Sequence, residues 1–182
     1  MIPTPEECFG LMEKYGMLDN IRAHSVMVEK VANTIALGIR EVGFNISIEK
    51  VTAGALMHDI GKTLCLNSSD DHAAKGKEIC IQNNFIEIAG IVEEHVRLKS
   101  YEIDYASSEK EIIYYSDKRV NHDRIVTLEE RLEYLLVRYA KDKEALGKLI
   151  KDNFKKCREV EKKLFLKLNF RPEDLAEMIE NT

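Results

Sequence analysis

Tryptophan is absent from this chain, proline occurs three times (Pro3, Pro5, Pro172), and no apolar run approaches the ~20 residues needed to cross a bilayer. No membrane-spanning segment is therefore expected. The opening MIPTPEECFG has neither a basic stretch nor an apolar one, so no secretory signal is expected either. The four cysteines (Cys8, Cys65, Cys80, Cys157) form no CxxC pair and no framework spacing. They read as free thiols in a reducing compartment, and the expected location is cytoplasmic. Positive charge is not in excess: 27 Lys and Arg against 32 Asp and Glu leave a net charge of −5. That balance disfavours a protein built to coat nucleic acid or an anionic membrane. Strand-like alternation, internal repeats and low-complexity tracts are missing as well.

What is present is helical periodicity, in 182 residues that are 45% hydrophobic. A chain of this length buries about 70% of its unfolded surface, enough for a core with an internal site. Helices are predicted over residues 6–17, 20–42 and from Ser47 onward. The second carries Val28, Val31, Ile35 and Ile39 at helical spacing and stops at Gly43. Asp70 or Asp71 caps HAAKGKEICIQ, and residues 85–96 form a fifth helix. Ser108 with Glu111, and Thr127 with Glu130, have capping-box spacing, which starts helices at both places. A long helix over 145–168 repeats Leu146, Ile150, Phe154, Cys157, Val160, Leu164 and Leu168, and Pro172 opens a last short one. The fold class is all-α. Residues 1–140 are expected to form a core and residues 141–182 a C-terminal helical extension packed on it, its apolar stripe being also suited to a homodimer seam.

The stretch ALMHDIGK, residues 55–62, sets a histidine beside an aspartate in apolar company. Both are costly to bury without a partner. Gly61 suggests that a helix ends there in a left-handed turn. A buried His58–Asp59 hydrogen bond would satisfy the pair with no further role. However, His24 shares the inward face of Val28 and Val31, His95 follows Ile88 and Ile91, and Asp117 follows Ile113 and Tyr114. His72 opens a helix with Gly76 four residues on, where a neighbour can approach closely. One inward histidine is ordinary core; four with two aspartates need a shared partner, and a metal ion supplies one.

RAHS at 22–25, MHDIGK at 57–62 and YSDKRV at 115–120 resemble the H…HD…D signature of the HD-domain metal-dependent phosphohydrolases. The resemblance covers about residues 20–125. It implies that His24, His58, Asp59 and Asp117 bind one metal. HAAKG and VEEHV are similar to the additional histidines of the two-metal branches, which implies that His72 and His95 hold a second ion with Asp59 bridging. One or two divalent transition-metal ions per chain are thus expected, iron or manganese by preference, with zinc, cobalt and nickel also compatible with imidazole–carboxylate ligation.

Two-metal sites activate water and stabilise the attacking and leaving oxygens of a displacement at phosphorus. The implied reaction is hydrolysis of a phosphoester or phosphoanhydride bond in a small phosphorylated substrate, a nucleotide or dinucleotide by preference, with Asp59 aiding proton transfer. Lys62, Arg97 and Arg119 are the expected phosphate contacts, arginine being suited to bidentate grip; Lys118, His122 and Arg124 are read as solvated. Two alternatives stand beside this reading: an HD-fold di-iron oxygenase, and a non-catalytic nucleotide-sensing helical module.

Overall fold

The computed structural model describes residues 1–101 and 107–180. Nine α-helices are present among the described residues: α1 Pro5–Lys14, α2 Asp19–Glu41, α3 Ile48–Met57, α4 His72–Gln82, α5 Ile86–Glu94, α6 Glu109–Lys118, α7 Leu128–Tyr139, α8 Glu144–Phe165 and α9 Leu175–Glu180. Short polar side chains start most of the early ones. Thr4, Ser108 and Thr127 each form a complete capping box, with Glu7, Glu111 and Glu130 respectively. Ser47 accepts from the amide of Lys50, and Asp71, not Asp70, caps α4 through the amides of Ala73 and Ala74. A cap of this kind is worth about 1 kcal/mol, and it fixes the residue at which each helix begins. Pro172 opens a 3₁₀ turn, Pro172–Asp174, that leads into α9.

α2 is the axis. Its stripe Val28, Val31, Ile35 and Ile39 is fully buried, and the helix packs along both α3 and α6. Burying each such side chain contributes about 1.5–3 kcal/mol. α4 pairs with α5, and α3 crosses α5 and α6, so the first histidine-bearing helices surround one point. α8 lies across α6 and α7. Its Phe154, Cys157, Val160 and Leu164 are buried in the same core as the stripe of α2. Polar ties reinforce that contact. Tyr115 Oη donates to Glu161 Oε2 at 2.6 Å, and the buried Lys163 Nζ lies 2.7 Å from Glu111 Oε1.

Two local expectations need correction. A two-stranded antiparallel hairpin is present, β1 Val120–Asn121 and β2 Arg124–Ile125, joined by a tight turn in which His122 takes φ +56°. Strands of two residues are too short to show alternation. Gly61 does not adopt a left-handed conformation, unlike Gly43 at φ +93°. Its missing side chain serves close packing: a Cβ would stand 2.4 Å from the carbonyl oxygen of His72 and 2.8 Å from the amide nitrogen of Gly76. Gly76 in turn admits Val92 of α5.

Candidate metal centre

α3 ends at Met57, but the chain stays in right-handed helical geometry through His58 and Lys62. The bonds tighten to a three-residue spacing there, from Ile60 N to Met57 O (3.0 Å) and from Lys62 N to Asp59 O (2.9 Å). The tightened turn carries consecutive side chains His58 and Asp59 into the core, where they are 0% and 1% exposed. His24 enters from α2, Asp117 from α6, His95 from the end of α5 and His72 from the start of α4.

These six side chains meet. His24 Nε2 lies 3.1 Å from Asp117 Oδ1, and His58 Nε2 lies 3.7 Å from that oxygen and 3.5 Å from Asp59 Oδ2. The other oxygen of Asp59, Oδ1, is 3.4 Å from His72 Nε2 and 3.5 Å from His95 Nε2. Ligand atoms of His24, His58 and Asp59 fall within 4.8 Å of one another, as do those of Asp59, His72 and His95. Asp59 belongs to both clusters, one oxygen facing each. Each cluster can hold a metal ion.

The ring orientations match that use. His58 Nδ1 donates to the carbonyl of Ala55 at 2.7 Å, and His95 Nδ1 to that of Val92 at 2.7 Å. His24 Nδ1 is 2.8 Å from the carbonyl of His122, which the left-handed backbone of the hairpin turn directs inward. A ring that donates from Nδ1 has its lone pair on Nε2, the arrangement of metal-binding histidines. His58 Nε2 is buried with no hydrogen-bond partner, and an unmet polar atom of that kind costs about 1–3 kcal/mol unless a further group engages it.

Electrostatics keeps the aspartates charged. Burial pushes Asp59 up, but the nearby charges of Lys62 and His58 hold it well below the ordinary carboxylate range. Asp117 is likewise raised by burial and held well below by Lys118 and by the bond to His24. Burial depresses His95. His58 is also pushed down by burial, yet Asp59 and Asp117 beside it raise it overall. Anionic carboxylates suit a cation, and His58, whose protonation they favour without one, would release that proton when its Nε2 takes up a metal.

A cleft of about 530 Å³ opens onto this centre, with Asp59, His72, His95 and Asp117 in its floor. Lys62 lines it, with Nζ 2.7 Å from Asp59 Oδ2. Arg97 is exposed and does not line it. Arg119 is turned away. Its guanidinium is buried, donating to the carbonyls of Val126 and Pro172 and to the Tyr115 hydroxyl, so it ties the hairpin and C-terminal turn to α6. Its neighbour Lys118 is not solvated: it is buried, bonded to the carbonyls of His95 and Tyr114, and lies 3.4 Å from Asp117 Oδ2. These two adjacent residues at the end of α6 point to different sides, and sequence order alone gives no sign of which one faces the cleft.

Arg131 of α7 was not anticipated. It lines the cleft, donates from Nη1 to Asn121 Oδ1 at 2.9 Å and has a buried Nε without a partner. Arg131, Leu135 and Tyr139 recur every fourth residue along α7. That spacing was the available signal, but a mixed polar and apolar stripe gives no indication of what it faces.

No solved structure gives a significant match to this chain. Over 145 residues it is 32% identical to a tRNA (cytidine(56)-2′-O)-methyltransferase of Picrophilus torridus, covering 72% of this chain and 40% of that protein. A protein of the same name from Thermoplasma volcanium is 35% identical over 97 residues, 53% of this chain and 27% of its own length. Ribonuclease Y of Fusobacterium nucleatum is 41% identical over 59 residues, 32% of this chain and 11% of that protein. The chain thus spans less than half the length of each of these curated relatives. The HD domain model matches residues 21–135, a span that carries all six converging side chains, and the chain belongs to the HD domain superfamily.

Proposed function

We propose that the chain is a metal-dependent phosphohydrolase that cleaves a phosphoester or phosphoanhydride bond in a nucleotide. His24, His58, Asp59 and Asp117 would hold one ion; His72 and His95 would hold a second, with Asp59 shared. The observation that carries this reading is His58: fully buried, committed through Nδ1 to Ala55, and left with an unpartnered Nε2 aimed at two carboxylates. A plain structural histidine–aspartate pair would satisfy that atom.

When bound, divalent ions supply Lewis acidity and a water activated for attack on phosphorus. The side chains do the rest. Asp59 stays ionised beside Lys62, which suits it to hold the ions and to accept a hydrogen bond that orients the attacking water. Lys62 and Arg131 offer cationic donors to phosphoryl oxygens from one wall of the cleft. Lys118 fixes Asp117 and the carbonyl of His95 from behind. Iron and manganese remain the favoured metals.

The test is a metal-by-substrate screen on chelated and reconstituted protein. It spans nucleoside mono-, di- and triphosphates, dinucleoside polyphosphates, cyclic nucleotides and, because the relatives carry tRNA and ribonuclease names, a short RNA. Metal-dependent release of phosphate or of a phosphorylated product is the expected result. Oxygen uptake after anaerobic iron loading, without hydrolysis, would instead make it an oxygenase. Tight nucleotide binding with no turnover at full metal occupancy would make it a sensor.

A further inference from the structure

The cleft has two unlike halves. The cations open to a ligand are two among the described residues: Lys62, 2.7 Å from Asp59, and Arg131 at the α7 side, bonded to Asn121. Lys118 is buried behind Asp117 and bonded to the carbonyls of His95 and Tyr114. No further lysine or arginine lines it among the described residues, and the one other charged lining residue is the acidic Asp70. The remaining wall is apolar and comes mostly from the helical hairpin α7–α8: Leu135 and Tyr139 from α7, Leu146, Ile150 and Phe154 from α8. Tyr139 is 50% exposed and Leu146 36% exposed. Their apolar surface is therefore open to a ligand that enters the cleft.

We propose that the α7–α8 hairpin is the specificity wall of this site, seating the flat apolar body of a substrate that carries a single phosphoryl group, of the nucleoside monophosphate class. The inference rests on the phosphohydrolase reading above and narrows it. One phosphoryl group at the floor meets the available cations. A second or third would lie against Leu135, Leu146 or Ile150, or face Asp70, where an unpaired charge is expensive to desolvate. A planar base, by contrast, gains from an aromatic face and aliphatic side chains, and that gain tolerates different bases. The cleft volume, about 530 Å³, lies within the range of small-molecule sites. Residues 141–182 thereby contribute to substrate choice as well as to packing.

The experiment uses adenosine and uridine 5′-monophosphates, ribose 5-phosphate and adenosine 5′-triphosphate as probes on the full chain. Binding is measured by calorimetry on metal-free protein, and phosphate release on manganese-loaded protein. Both monophosphates should bind about 5- to 150-fold more tightly than ribose 5-phosphate, the range of base–aromatic stacking, and the triphosphate should bind no better than the monophosphate. Tyr139→Ser should remove most of the base-dependent advantage and leave ribose 5-phosphate binding unchanged. Leu146→Ser, at a second exposed position, should act in the same direction, and circular dichroism checks that both variants fold. Equal binding of monophosphates and ribose 5-phosphate, an advantage that survives both substitutions, or tightest binding of the triphosphate would each overturn the proposal. Hydrolysis of every probe at one rate, without dependence on the wall, would leave the phosphohydrolase standing and remove the wall. A wall-dependent binding preference with no phosphate release from any probe would do the opposite.

Discussion

Replacing Gly61 with alanine tests whether close packing beneath the aspartate turn is what places His72. A Cβ at Gly61 would stand 2.4 Å from the carbonyl oxygen of His72, 2.8 Å from the amide nitrogen of Gly76 and 3.0 Å from Cβ of Lys75. Ordinary carbon contacts lie near 3.5–4.0 Å, so α4 must move by roughly 1 Å. The first two obstacles are backbone, which no rotamer change relieves, and α4 is backed by Val92 at Gly76. Overpacking of this kind costs about 1–3 kcal/mol, and the reduced freedom of the unfolded chain returns about 0.4–1 kcal/mol. The net loss centres near about 1.3 kcal/mol and is at most about 2.6 kcal/mol, and the central value lowers Tm by about 3–5 °C for a chain of this size. His72 moves with α4, and its Nε2 starts 3.4 Å from Asp59 Oδ1 and 3.3 Å from His95 Nε2. Metal content should therefore drop from about two ions toward about one, with the ion of His24, His58 and Asp117 retained. Urea titration and metal analysis read the two effects separately. Gly10→Ala, which meets nothing within 4 Å, is the control and should be neutral or slightly stabilising. A Gly61→Ala protein with wild-type stability and full metal content would refute the reasoning.

Other substitutions separate the roles further. His95→Ala should lose about one of two ions and keep the first; wild-type protein that never takes up more than one under saturating manganese would show that His72 and His95 do not hold a second. Lys62→Ala should lower kcat/KM on the best substrate about 10- to 150-fold, a lost charge-assisted hydrogen bond, without loss of metal, since it frees Asp59 Oδ2; unchanged kinetics would place Lys62 outside the reaction. Arg119→Ala should cost about 3 kcal/mol through buried acceptors left unmet, with near-wild-type kcat/KM, and a selective kinetic defect at normal Tm would contradict its placement. For chelated protein, Asp59 and Asp117 have folded pKa values well below 3.8, so their stabilisation is present above that pH and lost as pH falls through the folded values. Thermal scans across acidic pH should therefore show a falling Tm that Asp117→Asn makes shallower, Asp59 keeping its share, and an equally steep fall in Asp117→Asn would count against it.

Much of the fold is legible because its signals are local. A capping box such as Ser108 with Glu111 is satisfied within four residues, and the period of Val28, Val31, Ile35 and Ile39 needs no knowledge of what lies opposite. The inward phase of His24, His58, His95 and Asp117 is readable for the same reason: a side chain three, four or seven residues from a buried apolar one shares its face. Where Thr4 caps α1, the sequence also carried the signal, in Glu7 three residues on, although Pro5 is the more conspicuous mark.

What the sequence by itself determined was thus an all-helical chain and the set of polar side chains directed inward. The tertiary structure decided how those side chains divide, because that depends on distances between helices. One oxygen of Asp59 faces His58 and the other faces His72 and His95 only because α4 can rest on Gly61. The choice between Lys118 and Arg119 was likewise settled by packing: one turns back under His95, the other outward to Val126 and Pro172. Arg131, Tyr139 and Ile150 line the cleft because α7 and α8 fold over its edge. Each belongs to an ordinary amphipathic stripe, and a stripe specifies that a face is covered, not whether a helix or a ligand covers it.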